Sequence, residues 1–150
     1  MVMKSLVGFG FLTMLALPAA AAVTTVTTEG FEVTDTATIP ASPERVYAAL
    51  GEIGKWWDSD HTYSGDAANL RIDLKAGACL CERLPGGGSV EHMRVVYAAP
   101  GKALRLRGAL GPLQSEGVDG ALTWSLKADA GGTILTQSYV VGGFTRALTL

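Results

Sequence analysis

The chain has 150 residues, of which 12 are basic and 14 acidic, for a net charge of −2. With no run of Lys or Arg, that balance excludes a nucleic acid held along a basic stripe. The length suits one domain, and 48% hydrophobic residues with 19 glycines favour a compact β-rich domain over disorder.

The first 22 residues read as a secretory signal peptide. MVMK is positively charged, SLVGFGFLTMLAL is apolar, and PAAAA supplies small residues. Cleavage is expected after Ala20, Ala21 or Ala22, with Ala22 favoured. The apolar run is shorter than the roughly 20 residues a spanning helix needs. No stable membrane span is therefore expected after cleavage, and the mature domain, 23–150, is expected in the periplasm or secreted.

Gly30 to Ile39 alternates as a strand, with Phe31, Val33, Ala37 and Ile39 on one face. Asp35 falls on that apolar face, which places it at a strand end or bulge, or in a pocket, because a buried unpaired carboxylate is costly. The stretch from Ile39 to Trp57 reads as one amphipathic helix. Ser42 is its N-cap, Pro43 its first residue, and Val46, Leu50, Ile53 and Trp57 its apolar stripe. A polar, Gly-broken loop with one helical turn follows, carrying His61 and Tyr63. Leu70 to Leu84 reads as a strand pair or one bent strand, with a bulge at Gly77. Pro85 to Gly88 is a turn.

Val90 to Ala98 is the next strand. Strict alternation puts Val90, His92, Arg94 and Val96 on one face and Glu91, Met93, Val95 and Tyr97 on the other. Ala103 to Arg107 returns the chain. Gly108 to Gly120 is too Gly-rich for regular structure throughout and reads as a flexible loop over a cavity mouth. Ala121 to Lys127 and Thr133 to Val141 form a hairpin around Asp129–Gly132.

Cys79 and Cys81 lie two apart in a predicted strand. Extended neighbours at that spacing are roughly 6.6–6.8 Å apart at Cα, so closing a disulfide between them would strain the loop. Three readings stand: two small apolar side chains, a redox-active pair, or metal ligands. The last lacks a nearby third ligand in the sequence.

No Ser-His-Asp order, phosphate loop or HExxH occurs. The strand leading into Ile39-Pro40-Ala41-Ser42-Pro43-Glu44-Arg45-Val46-Tyr47, then Trp56-Trp57, resembles the START-like superfamily, also called SRPBCC or helix-grip. The late hairpin through Trp124, the turn Gly131-Gly132-Thr133 and the strand to Tyr139 carry the same likeness, closest to bacterial members of the polyketide cyclase/dehydrase type. The resemblance implies an α+β fold, a curved antiparallel β-sheet with a helix after the first strand, wrapped on a long C-terminal helix. TRALTL is too short for that helix, so it is expected to be missing. Either the copy is truncated or a second subunit, as in a homodimer, covers the open face.

The resemblance further implies an apolar cavity for a lipid, polyketide or aromatic molecule. Ligand contacts are expected from Trp56, Trp57, Tyr63, Glu82, His92, Arg94, Trp124 and Tyr139. The expected function is binding of a small hydrophobic molecule, without cofactor or metal. The alternatives are a cyclase or dehydrase using His92 or His61 as proton carrier with Arg94 steadying an enolate, and a protein-interaction domain.

Overall fold

The structure, a computed structural model, describes residues 22–146. The expected signal peptide lies almost wholly outside these residues. Strand β1 (Ala22–Thr27) starts at the favoured cleavage site, and β2 (Gly30–Ile39) and helix α1 (Pro43–Leu50) follow it. The remaining strands are β3 (Leu70–Ile72), β4 (Cys79–Arg83), β5 (Ser89–Ala99), β6 (Ala103–Arg107), β7 (Gly117–Asp129) and β8 (Gly132–Phe144). All eight form one curved, open sheet in the order β1-β2-β8-β7-β6-β5-β4-β3, with every pairing antiparallel.

Alternation in the late strands sets the inner face. Leu122, Trp124 and Leu126 of β7 lie buried beside Leu104 and Leu106 of β6. The β7–β8 ladder runs unbroken from Gly117↔Phe144 to Asp129↔Gly132. That makes it the longest hairpin of the sheet and locates the turn where the Asp129–Gly132 signal put it.

Helix α1 lays Val46, Tyr47 and Leu50 on this face. Ser42 caps it, its hydroxyl accepting from the Arg45 N–H at 3.4 Å. The helix is shorter than its apolar periodicity implies. It stops at Gly51, and Ile53–Lys55 forms a separate 3-10 turn. A Cβ at Gly54 would lie 2.9 Å from the Ala67 carbonyl oxygen. Only glycine admits that approach, which seats Ile53 in the core against the turn Ala67–Asn69.

Asp35 also departs from expectation. It sits mid-strand opposite Gln137 in an uninterrupted β2–β8 register, with neither strand end nor bulge. Its carboxylate accepts from the Thr36 N–H at 2.8 Å. The inner face is only half buried here, so the carboxylate keeps solvent and avoids the cost of full burial. Among the described residues no long helix follows β8, and no helix is long and apolar enough to cross a membrane.

Candidate functional site

Strand β5 does not alternate as its sequence does. Against β4 its register steps from Met93, opposite Leu80, to Glu91, opposite Cys81, so His92 is the extra residue of a β-bulge. Against β6 it steps from Val95 to Tyr97, so Val96 is a second one. The first bulge turns both His92 and Met93 inward. The second leaves both Val96 and Tyr97 exposed. Gly108, at the end of β6, has φ +142° and passes so close that a Cβ would lie 2.8 Å from the His92 carbonyl oxygen.

The expected pairing of His92 with Arg94 on one face is thereby corrected. Arg94 points outward, pairs with Glu91, and donates to the Gly77 carbonyl at 2.9 Å. His92 points inward, and its Nε2 lies 2.8 Å from Glu82 Oε2. Glu82 is 1% exposed. Its carboxylate also accepts the backbone N–H groups of Tyr63, at 3.2 Å, and Ser64. Burial pushes the Glu82 carboxyl up, but the hydrogen bonds from Ser64, Tyr63 and His92 outweigh it and hold the group below the usual carboxylate range. An ionised carboxylate only accepts, so Nε2 carries the hydrogen and Nδ1 is the ring nitrogen left for a ligand.

Glu82 thus ties the loop after Trp57 to the bulge, and between them opens a cavity of about 630 Å³. Leu70, Leu80 and His92 form its sheet side, and Trp57, His61 and Tyr63 its loop side. Leu110, Gly111 and Pro112 close the third side. These three belong to the stretch expected to be a loop. It is shorter than expected, because β7 already starts at Gly117, and Gly111–Ser115 forms a 3-10 turn. Two tyrosines fasten it. Tyr63 donates from its hydroxyl to the Gly111 carbonyl at 3.0 Å, and the Leu110 N–H donates to the Tyr139 hydroxyl at 3.0 Å. The Tyr63 and His92 rings lie 5.8 Å apart.

The expected contact residues therefore divide. Trp57, His61, Tyr63 and His92 line the cavity, Glu82 stands behind His92, and Tyr139 braces the loop. Trp124 is a core residue, 2% exposed, donating to Gln137 Oε1 at 2.7 Å. Trp56 is 45% exposed, donates to the Ala49 carbonyl at 2.8 Å, and packs its ring edge-on to Trp124, away from the cavity. Leu70 and Leu80 were not singled out from the sequence, whereas Leu110–Pro112 lie within the stretch expected as a loop over a cavity mouth. For Leu80 the signal was available, since Leu80 and Glu82 share a strand face in CLCER.

Cys79 and Cys81, on the opposite face of β4, are joined by a disulfide with their Cα atoms 5.4 Å apart. That corrects the reading of them as two unlinked small side chains, and the strand has contracted to allow it. Glu91 adds the third candidate metal ligand that sequence spacing lacked, the three donor atoms lying within 4.8 Å of one another. In the disulfide form neither sulfur offers a thiolate to a metal.

The family described as polyketide cyclase / dehydrase and lipid transport matches residues 30–149. No curated protein matches the chain. Among solved structures, an uncharacterized protein from Rhizobium leguminosarum superposes with a TM-score of 0.57 at 17% identity, covering 83% of this chain and 80% of that one. A protein of unknown function from Staphylococcus aureus gives 0.54 at 19%, covering 81% and 75%. A protein from Mesorhizobium loti gives 0.52 at 19%, covering 77% and 78%. At such identities the likeness is one of fold.

Proposed function

The chain belongs to the polyketide cyclase / dehydrase and lipid transport family, and from that premise we propose that it binds a small hydrophobic molecule, a lipid, polyketide or aromatic, in the cavity beneath the Gly111–Ser115 turn. One observation carries the reading: an apolar cavity of about 630 Å³ has a single buried, hydrogen-bonded imidazole in its wall. The volume falls within the roughly 300–1,000 Å³ of small-molecule sites, which combine apolar lining with a few placed polar groups. Leu70, Leu80, Leu110 and Trp57 supply the apolar area, and His92 orients a hydroxyl, phenol or carbonyl of the ligand. Titration with a fluorescent hydrophobic probe is expected to saturate, and lipid or polyketide extracts to displace it. Folded protein without saturable binding refutes the proposal.

The His92–Glu82 contact favours one second reading, a cyclase or dehydrase in which His92 moves a proton and Glu82 holds its ring. Arg94 has no part in it, because it faces away from the cavity. The replacement His92→Ala would then abolish turnover of a polyketide-like substrate while binding persists. Export is part of the proposal. A disulfide within the sheet supports an oxidising compartment. Cleavage after Ala22 would leave Val23 to Thr27 of β1 in place, and the mass of the mature protein tests it.

A further inference from the structure

We propose that Cys79–Cys81 is a reversible thiol–disulfide site on the outer face of β4 whose redox state sets the position of His92 in the cavity. The cysteines alternate with the cavity residues along one strand: Cys79 out, Leu80 in, Cys81 out, Glu82 in. Leu80 lines the cavity and Glu82 holds His92, so any change in the length of β4 acts on both. The bridge changes that length. Its Cα atoms are 5.4 Å apart, against roughly 6.6–6.8 Å for extended residues two apart.

The contraction lies opposite the first bulge of β5. Between Leu80 and Cys81 the strand β4 advances one residue while β5 advances two, and the residue without a partner is His92. A strand shortened by its own cross-link therefore faces a strand carrying one residue too many, and the two irregularities fall at the same step of the ladder. With the bridge open, β4 regains its extended rise. The register across Leu80 and Cys81 then shifts, and with it the turn that brings His92 onto Glu82.

The site is reachable. Both cysteines are partly exposed, and Cys79 borders an open cleft of about 480 Å³ together with Arg71 and Lys75. Asp73, paired with Lys75, also lines the cleft, and the two cations outnumber it, which suits a small anionic thiol. Its thiolate attacks Cys79 Sγ, the S–S bond breaks, and the electron pair leaves on Cys81 Sγ, which takes up a proton. Arg71, directly opposite Cys81 on β3, faces that leaving group. A second thiol attacks the reductant's sulfur in the mixed disulfide and releases Cys79. Two thiols have then become one external disulfide, and two electrons and two protons have passed to the pair.

The test uses the mature protein with reduced and oxidised glutathione as the redox couple. Alkylation followed by mass measurement is expected to report reversible reduction of the folded chain. The His92 ring resonances are expected to shift between the two forms, and affinity for anilinonaphthalenesulfonate to fall by roughly threefold or more. The double variant Cys79→Ser, Cys81→Ser should match the reduced protein and ignore glutathione. The inference rests on the ligand proposal for its affinity readout alone. A probe that binds neither form sinks that proposal, and the ring resonances then decide the redox coupling by themselves. Ring resonances identical in both forms, or a folded protein that never takes up thiol, overturn it.

Discussion

The hydroxyl of Tyr47 is buried without a hydrogen-bond partner among the described residues. An unsatisfied buried hydroxyl costs of the order of 1–3 kcal/mol, and removing it restores that amount if nothing else moves. Tyr47→Phe is therefore expected to raise stability by about 1 kcal/mol in urea unfolding, with an unchanged slope. Glu82 is the opposite case, a buried carboxylate with three donors aimed at it. Its folded pKa lies below its unfolded value. The stability it contributes is therefore complete above the ordinary carboxylate value near 4.3 and is lost as pH falls through the folded pKa. Glu82→Gln should cost about 2 kcal/mol at pH 7. It should also flatten the loss of thermal stability between neutral and acid pH, and an unchanged acid slope would remove Glu82 from that account. Neither residue's role follows from its type. Tyr47 flanks the predicted apolar stripe and its hydroxyl meets no partner among the described residues, while Glu82 lies on a strand face shared with Leu80 and takes its donors from Tyr63, Ser64 and His92, outside its own strand.

At the scale of elements, β5 decides the site. Its sequence, SVEHMRVVYAA, alternates well enough to be read as one regular strand with His92 and Arg94 together. Two bulges reverse that reading, because each moves every later side chain to the other face. No glycine or proline within β5 announces them. The one glycine that accompanies the first, Gly108, lies just past the end of the neighbouring strand, at φ +142° against the His92 carbonyl. Gly108→Ala would meet both the left-handed backbone and that contact, and a cost of about 2–3 kcal/mol is expected in equilibrium unfolding. His92 should then lose its place on Glu82, which nuclear magnetic resonance of the ring would register. A tolerated alanine with unmoved ring signals would mean that Gly108 is not what admits the bulge. The shortened helix teaches the same lesson. The apolar period through Ile53 and Trp57 is real, but those residues reach the core through a 3-10 turn, because Gly54 lets the chain close on Ala67.

For the molecule as a whole, the cavity exists because three distant segments meet: the loop after Trp57, the bulged strand, and the turn Gly111–Ser115. Its wall on the turn side hangs on two tyrosine hydroxyls 76 residues apart in the chain. Tyr63→Phe and Tyr139→Phe should each release that turn at a cost of about 1 kcal/mol. They should speed probe release in stopped-flow while leaving the fold intact, and unchanged release rates would show that the turn does not gate the cavity. By itself the sequence determined the local matters: the Ser42 cap, the alternation of β2 and β7, the hairpin turns, and the resemblance that the family match upholds. Those depend on spacing and on neighbours a few residues away. Only the tertiary structure decided which polar groups face inward, that Cys79 and Cys81 close, and that Glu82 meets His92. The disulfide depends on a local contraction of β4, and the other two depend on strand register. Register is a property of pairs of strands, so a single stretch of residues does not carry it.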